Sequence, residues 1–86
     1  MSRFYFDVRE GTSFTPDEEG LDFASLDVAE RMAAEAAAEI GRDRLPKGDT
    51  RDITVEVRND HGQRVLTVVV TMHIDRVAPE PLPPRT

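Results

Sequence analysis

Two stretches of strict alternation flank a single long helical stretch, and that arrangement limits the fold more than anything else in the chain. Residues 3–9, RFYFDVR, put Phe4, Phe6 and Val8 on one side and Tyr5, Asp7 and Arg9 on the other. Period two with aromatic and β-branched residues marks a half-buried strand. Residues 51–60, RDITVEVRND, alternate in the same way, with Ile53, Val55 and Val57 against Thr54, Glu56 and Arg58. Between them lies DVAERMAAEAAAEI, rich in good helix formers. One helix can cover one face of a sheet and no more. The pattern therefore predicts an α+β domain: a four-stranded antiparallel sheet in the order β-β-α-β-β, with one helix packed on one face.

The remaining elements follow from local signals. Gly11 marks a turn, and short strand pieces are expected near 12–15 and 20–23, with Pro16 barring a continuous strand because it has no N–H to donate. Ser25 is the expected N-cap, and Asp27 suits the positive end of the helix dipole. Leu26, Ala29, Ala33, Ala36 and Ile40, with Met32 beside them, form the expected core-facing stripe. The helix is expected to run past Gly41 to about Leu45, where Pro46 and Gly48 end it. Asn59-Asp60-His61-Gly62 is a hairpin turn leading into QRVLTVVVTMHID, in which Leu66, Val68, Val70, Met72 and Ile74 share a face.

The opposite sheet face would carry Tyr5, Asp7, Arg9, Thr54, Glu56, Arg58, Val65, Thr67, Val69 and Thr71. Most of these suit water. Val65 and Val69 do not, and the last strand is apolar on both sides over Val65–Val70. Such a run fits a strand buried on both faces or paired with a second subunit. A homodimer through the last strand or the open sheet face is the expectation.

Length and composition bound the rest. Eighty-six residues make one domain, expected over 1–76, followed by a proline-rich disordered tail over 77–86. There is no cysteine, hence no disulfide, no thiolate and no cysteine-ligated zinc. No apolar run approaches the roughly 20 residues of a membrane helix, so no membrane partner is expected and a cytoplasmic location is. The net charge is −6, with ten acids against three bases in residues 1–40 and seven against eight in residues 41–86. An acidic first half repels phosphate, so no nucleic-acid partner is expected.

No catalytic, cofactor-binding or metal-binding residue is assigned. Asp17, Glu18, Glu19 and Asp22 crowd around Gly20 without the spacing of a calcium loop, and they read as a charged turn. His61 and His73 lack the spacing of a histidine metal pair. The cluster Arg42, Arg44, Lys47 and Arg51 follows the helix end, where cations suit the dipole. No glycine-rich phosphate loop is present.

Arg3-Phe4-Tyr5-Phe6-Asp7 at the start and Asp17-Glu18-Glu19-Gly20 in the turn stand together with Ala29 and Ala36 in the helix. Val55, Val57, Gly62 and Val65 follow in the closing hairpin. On these residues the chain resembles the short, mainly alphaproteobacterial bacterial proteins grouped as domain of unknown function 6894, over roughly residues 1–72. The resemblance brings no activity, cofactor or residue role with it. The order of elements is also similar to small antitoxin domains of the HicB kind, acidic partners of basic RNA-cleaving toxins, although their proline-glycine turn is absent here. The preferred reading is a noncatalytic dimeric protein-interaction module. The alternatives are a ligand-binding protein or enzyme using Tyr5, Asp7 and His73 at the open sheet face, and an antitoxin-like regulatory partner.

Overall fold

A computed structural model describes residues 1–77 and 79. The elements run β1 (Ser2–Glu10), β2 (Ser13–Thr15), β3 (Leu21–Phe23), α1 (Leu26–Arg44), a 3-10 turn (Leu45–Lys47), β4 (Asp52–Asn59) and β5 (Arg64–Thr71). The sheet is antiparallel throughout, in the order β2-β1-β4-β5, with β3 also paired to β1. β2 pairs with Val8–Glu10 and β3 with Ser2–Phe4, so the two share one edge of β1 in succession. Five strands thus fill four sheet positions. The expected proline-rich tail lies outside the described residues except for Val77 and Pro79.

The helix begins where Ser25 Oγ accepts from the Val28 amide at 3.2 Å. That bond satisfies one of the orphan donors of the first turn. Gly41 does not stop it, and Leu45 is buried at its far end. The buried row is Ala29, Ala33, Ala37 and Gly41. This corrects the expected stripe: Leu26 and Met32 are exposed, and Ala36 and Ile40 are only half-buried. The reason is volume. The sheet already presents Phe4, Val55 and Val57 from its own side, and the smallest residues of the helix let the two backbones approach. A Cβ on Gly41 would lie 3.1 Å from Val70 Cγ1 and 3.2 Å from Leu45 Cδ1.

The helix-side face of the sheet is as the alternation predicts. Phe4, Ile53, Val55 and Val57 are buried, and Phe6, Val8, Leu66, Val68 and Val70 are half-buried. Phe23 stacks on Phe6 with ring centroids 5.6 Å apart, which fixes the entry to the helix. Leu21, paired with Phe4 through the backbone, is 64% exposed.

Alternation fails at one place. The register between β4 and β5 shifts between Val57 and Arg58, so Val57 faces Leu66 while Arg58 faces Arg64. Val65 is the extra residue of a β-bulge. Strict period two would put Arg64 with Leu66 under the helix; the bulge turns it to the open face, where it reaches Glu56. The hairpin itself closes with Asn59 N–H donating to Gln63 C=O at 2.9 Å and Gly62 at φ +77°. Asn59 Oδ1 accepts from the amides of His61 and Gln63, both at 2.9 Å.

Candidate functional site

The uncovered sheet face and the acidic stretch 16–20 meet, and the residues with chemical potential gather there. If β2 continued in register beyond Val8↔Thr15, it would set Pro16 against Asp7 and Asp17 against Phe6. Pro16 has no N–H, so the ladder stops. The Asp17 carboxylate then replaces a strand carbonyl: Oδ2 accepts from the Phe6 amide at 3.0 Å. Its Oδ1 accepts from the amides of Glu19 and Gly20, each at 3.1 Å. One side chain closes the gap in the sheet edge and also shapes the loop that makes the gap.

Gly20 completes the loop at φ +71°. A Cβ there would lie 2.8 Å from Tyr5 Cε2 and 2.9 Å from the Phe4 carbonyl oxygen. Only glycine fits both the backbone conformation and the space. Arg3 secures the outer side by donating to the Glu19 carbonyl at 2.7 Å and pairing with Asp22, its cross-strand partner, at 3.2 Å.

The loop lies over Asp7, which is 4% exposed although no helix among the described residues covers this face. The Asp17 amide donates to Asp7 Oδ1 at 2.9 Å. Arg58 grips the same carboxylate with two bonds, Nε to Oδ2 at 2.6 Å and Nη2 to Oδ1 at 3.1 Å, and Nη2 also reaches the Asp17 carbonyl at 3.0 Å. Tyr5 lies under the guanidinium, 4.9 Å from Arg58 Cζ to the ring centroid. Burial by itself would raise the Asp7 carboxyl; the Arg58 hydrogen bond, the Asp17 amide and the nearby guanidinium charges outweigh it and hold Asp7 below its ordinary value. Burial likewise opposes ionisation of Asp17, and the three backbone amides overcome both that and repulsion from Asp7. Arg58 is raised, chiefly by its hydrogen bond to Asp7.

A second ionic group lies further along the face. Glu56, 8% exposed, sits between Arg64 at 3.3 Å and Arg9 at 3.7 Å. Arg9 also covers the Phe14 ring at 4.6 Å. The open face is therefore a nearly neutral ionic lattice with two buried carboxylates, rather than the simply wetted surface that the alternation implied.

Of the three residues proposed for ligand chemistry, Tyr5 and Asp7 are neighbours, and His73 is not with them. Tyr5 pairs with Arg58 at one end of β4, whereas the last residue of β5, Thr71, pairs with Asp52 at the other. Six residues of strand separate the two ends, about 20 Å. A shallow open groove of about 480 Å³ is lined by Tyr5, Asp17, Glu18, Arg58, Asn59 and Asp60 among others, and it includes neither Asp7 nor His73. Among the described residues, no three or more His, Asp or Glu side chains converge as a metal ion requires. Among the same residues, no helix is long and apolar enough to cross a membrane.

The alternation placed Arg58 and Glu56 on the correct face but did not mark them as partners. Their one signal was opposite charge on the same face as Asp7 and Arg9, and it becomes decisive only with the cross-strand register.

The sequence profile of the family described as domain of unknown function (DUF6894) matches residues 3–71. The chain belongs to that family. The DUF6894 match takes in the FYFD opening, the DEEG turn and Arg58, and stops at the last residue of β5. No curated protein and no solved structure matches the chain significantly.

Proposed function

We propose that this DUF6894 chain is a noncatalytic protein-interaction module that binds through the outer edge of β5. One observation carries the reading. The ionisable groups of the open face are spent on one another, while β5 offers an unpaired edge among the described residues. Asp7 and Asp17 are both held below the usual carboxylate range. A carboxylate depressed in this way is a poor general base, and it does not carry a proton to give as an acid near neutral pH. Arg58 is turned toward Asp7 and the Asp17 carbonyl, which leaves the groove beside Tyr5 with an acidic rim of Glu18 and Asp60.

The edge of β5 has the opposite character. Residues 65–71, VLTVVVT, contain no charge, proline or glycine. Natural edge strands are guarded by such residues, and an unguarded edge is a template for another strand. A cytoplasmic setting belongs to the same reading, since a cysteine-free chain gains nothing from an oxidising compartment. Site-specific photo-crosslinking in native lysate tests it. A probe at position 69 should give discrete protein adducts, and one at Glu35 on the outer helix surface should not. Adducts from neither position, or from Glu35 alone, would overturn the reading.

A further inference from the structure

We infer that the strand taken up by β5 is β5 of a second copy, paired antiparallel about a two-fold axis at Val69. This rests on the interaction-module reading and names its partner.

Hydrogen-bond parity gives the first argument. The Met72 amide donates to the Arg51 carbonyl at 3.4 Å, which extends the pairing Asp52↔Thr71 by one step. In an antiparallel ladder, directly bonded pairs alternate with unbonded ones. The main-chain groups of Met72, Val70, Val68 and Leu66 therefore point at β4. Those of Thr67, Val69 and Thr71 point away from it, and no strand among the described residues meets them.

A two-fold axis at Val69 bonds these outward groups to one another. Val69 faces its own copy, and Thr67 faces Thr71 of the partner subunit. Even-numbered residues then also meet even-numbered ones, so Val68 lies beside Val70 of the partner subunit and Leu66 beside Met72 of the partner subunit. Both sheet faces continue across the seam without a mismatch, apolar on the helix side and uncharged on the other.

The residues just past the strand give the second argument. The alternating pattern continues through Met72 and Ile74, which are 42% and 77% exposed, while β4 has already ended at Asp52. Beyond the Met72–Arg51 bond, this overhang has no strand beside it in its own sheet among the described residues. In the two-fold arrangement it runs beside the start of β5 in the other copy. There Asp75 of one chain comes to the Gln63–Arg64 end of the other, which sets an acid near Arg64, with Arg76 one residue farther out. A chain of net charge −6 would repel its copy over most of its surface. The uncharged β5 edge is the place where that repulsion is least.

Sedimentation equilibrium of the whole purified chain tests the inference. Wild type should be a dimer at roughly 100 µM. Val69 is 55% exposed, so Val69→Lys and Val69→Glu should fold, as circular dichroism will verify. Each alone sets two like charges against each other at the axis and should weaken the dimer about tenfold or more. An equal mixture of the two variants should restore it as a heterodimer. A monomeric wild type overturns the self-pairing and leaves the interaction-module reading to the crosslinking experiment. A dimer indifferent to both charges, or one that the mixture fails to restore, also overturns it.

Discussion

Replacing Asp17 with alanine removes the side chain that joins the acidic loop to the edge of the sheet. Three backbone amides lose their acceptor, those of Phe6, Glu19 and Gly20. The Glu19 amide is exposed and the Gly20 amide part-buried in an open loop, where water can replace much of what they lose, so about 0.5–1 kcal/mol each is expected. The Phe6 amide is part-buried in the gap between β2 and β3. Left without a partner it costs about 1–3 kcal/mol. The sum is about 3 kcal/mol, a large share of the total for a domain of this size. For Asp17→Asn the amide oxygen can still serve Glu19 and Gly20, but the NH₂ group would face the Phe6 N–H, donor against donor. About 2 kcal/mol is expected. Urea unfolding followed by circular dichroism at neutral pH gives these values directly. Neighbouring acids supply the control: Asp22→Ala removes only the exposed pair with Arg3 and should cost under about 1 kcal/mol. The pH dependence gives a second readout. The folded Asp17 carboxyl lies below its ordinary value, so its contribution is fully present above that ordinary value and is lost as pH falls through the lower folded value. Between about pH 5 and about pH 2, Asp17→Asn should therefore lose less stability than wild type does. An Asp17→Ala protein within about 0.5 kcal/mol of wild type would refute this role of Asp17 in joining the loop to the sheet edge.

Other substitutions separate the parts of the face. Arg58→Ala leaves the Asp7 carboxylate buried without its cation and should cost about 3 kcal/mol in urea unfolding; the double change Asp7→Leu with Arg58→Met should recover most of it. A double variant no better than the single one would mean that the loop, rather than the ion pair, depends on Arg58. Gly20→Ala and Gly62→Ala both place a side chain at positive φ, but only position 20 also meets Tyr5 and the Phe4 carbonyl. Gly62→Ala should cost about 1 kcal/mol and Gly20→Ala at least about 2 kcal/mol; equal thermal shifts would refute the close approach.

The parts of this fold that were legible in the sequence are those set by neighbouring residues. Ser25 before an alanine-rich run gives the helix start, and Leu45 followed by Pro46 gives its end. Asn59 and Gly62 give the hairpin, and period two gives the core face of β1, β4 and β5. What was not legible depends on residues far apart in the chain. The pairing of Asp7 with Arg58 spans 51 positions and needs the register between β1 and β4. Arg64 joins the open face only because a bulge at Val65 breaks the alternation. The helix presents Ala29, Ala33, Ala37 and Gly41 because Phe4 and the valines of β4 already fill the space, a fact about two surfaces together. The acidic stretch misled in the same way. Its spacing excluded a calcium loop and suggested a solvated turn, whereas Asp17 turns inward because Pro16 leaves the Phe6 amide without a partner.

The central claim is that the chemistry of the open face is structural and that the edge of β5 pairs with β5 of a second copy. Residue-resolved amide hydrogen exchange along β5, on the order of 100 µM, addresses it most directly. Protection is predicted at Leu66, Val68 and Val70, from β4, and also at Thr67, Val69 and Thr71, from the second copy. In Val69→Lys the three odd-numbered amides should become fast while the even-numbered ones stay slow. Fast exchange at Thr67, Val69 and Thr71 in the wild-type chain at that concentration would contradict the claim.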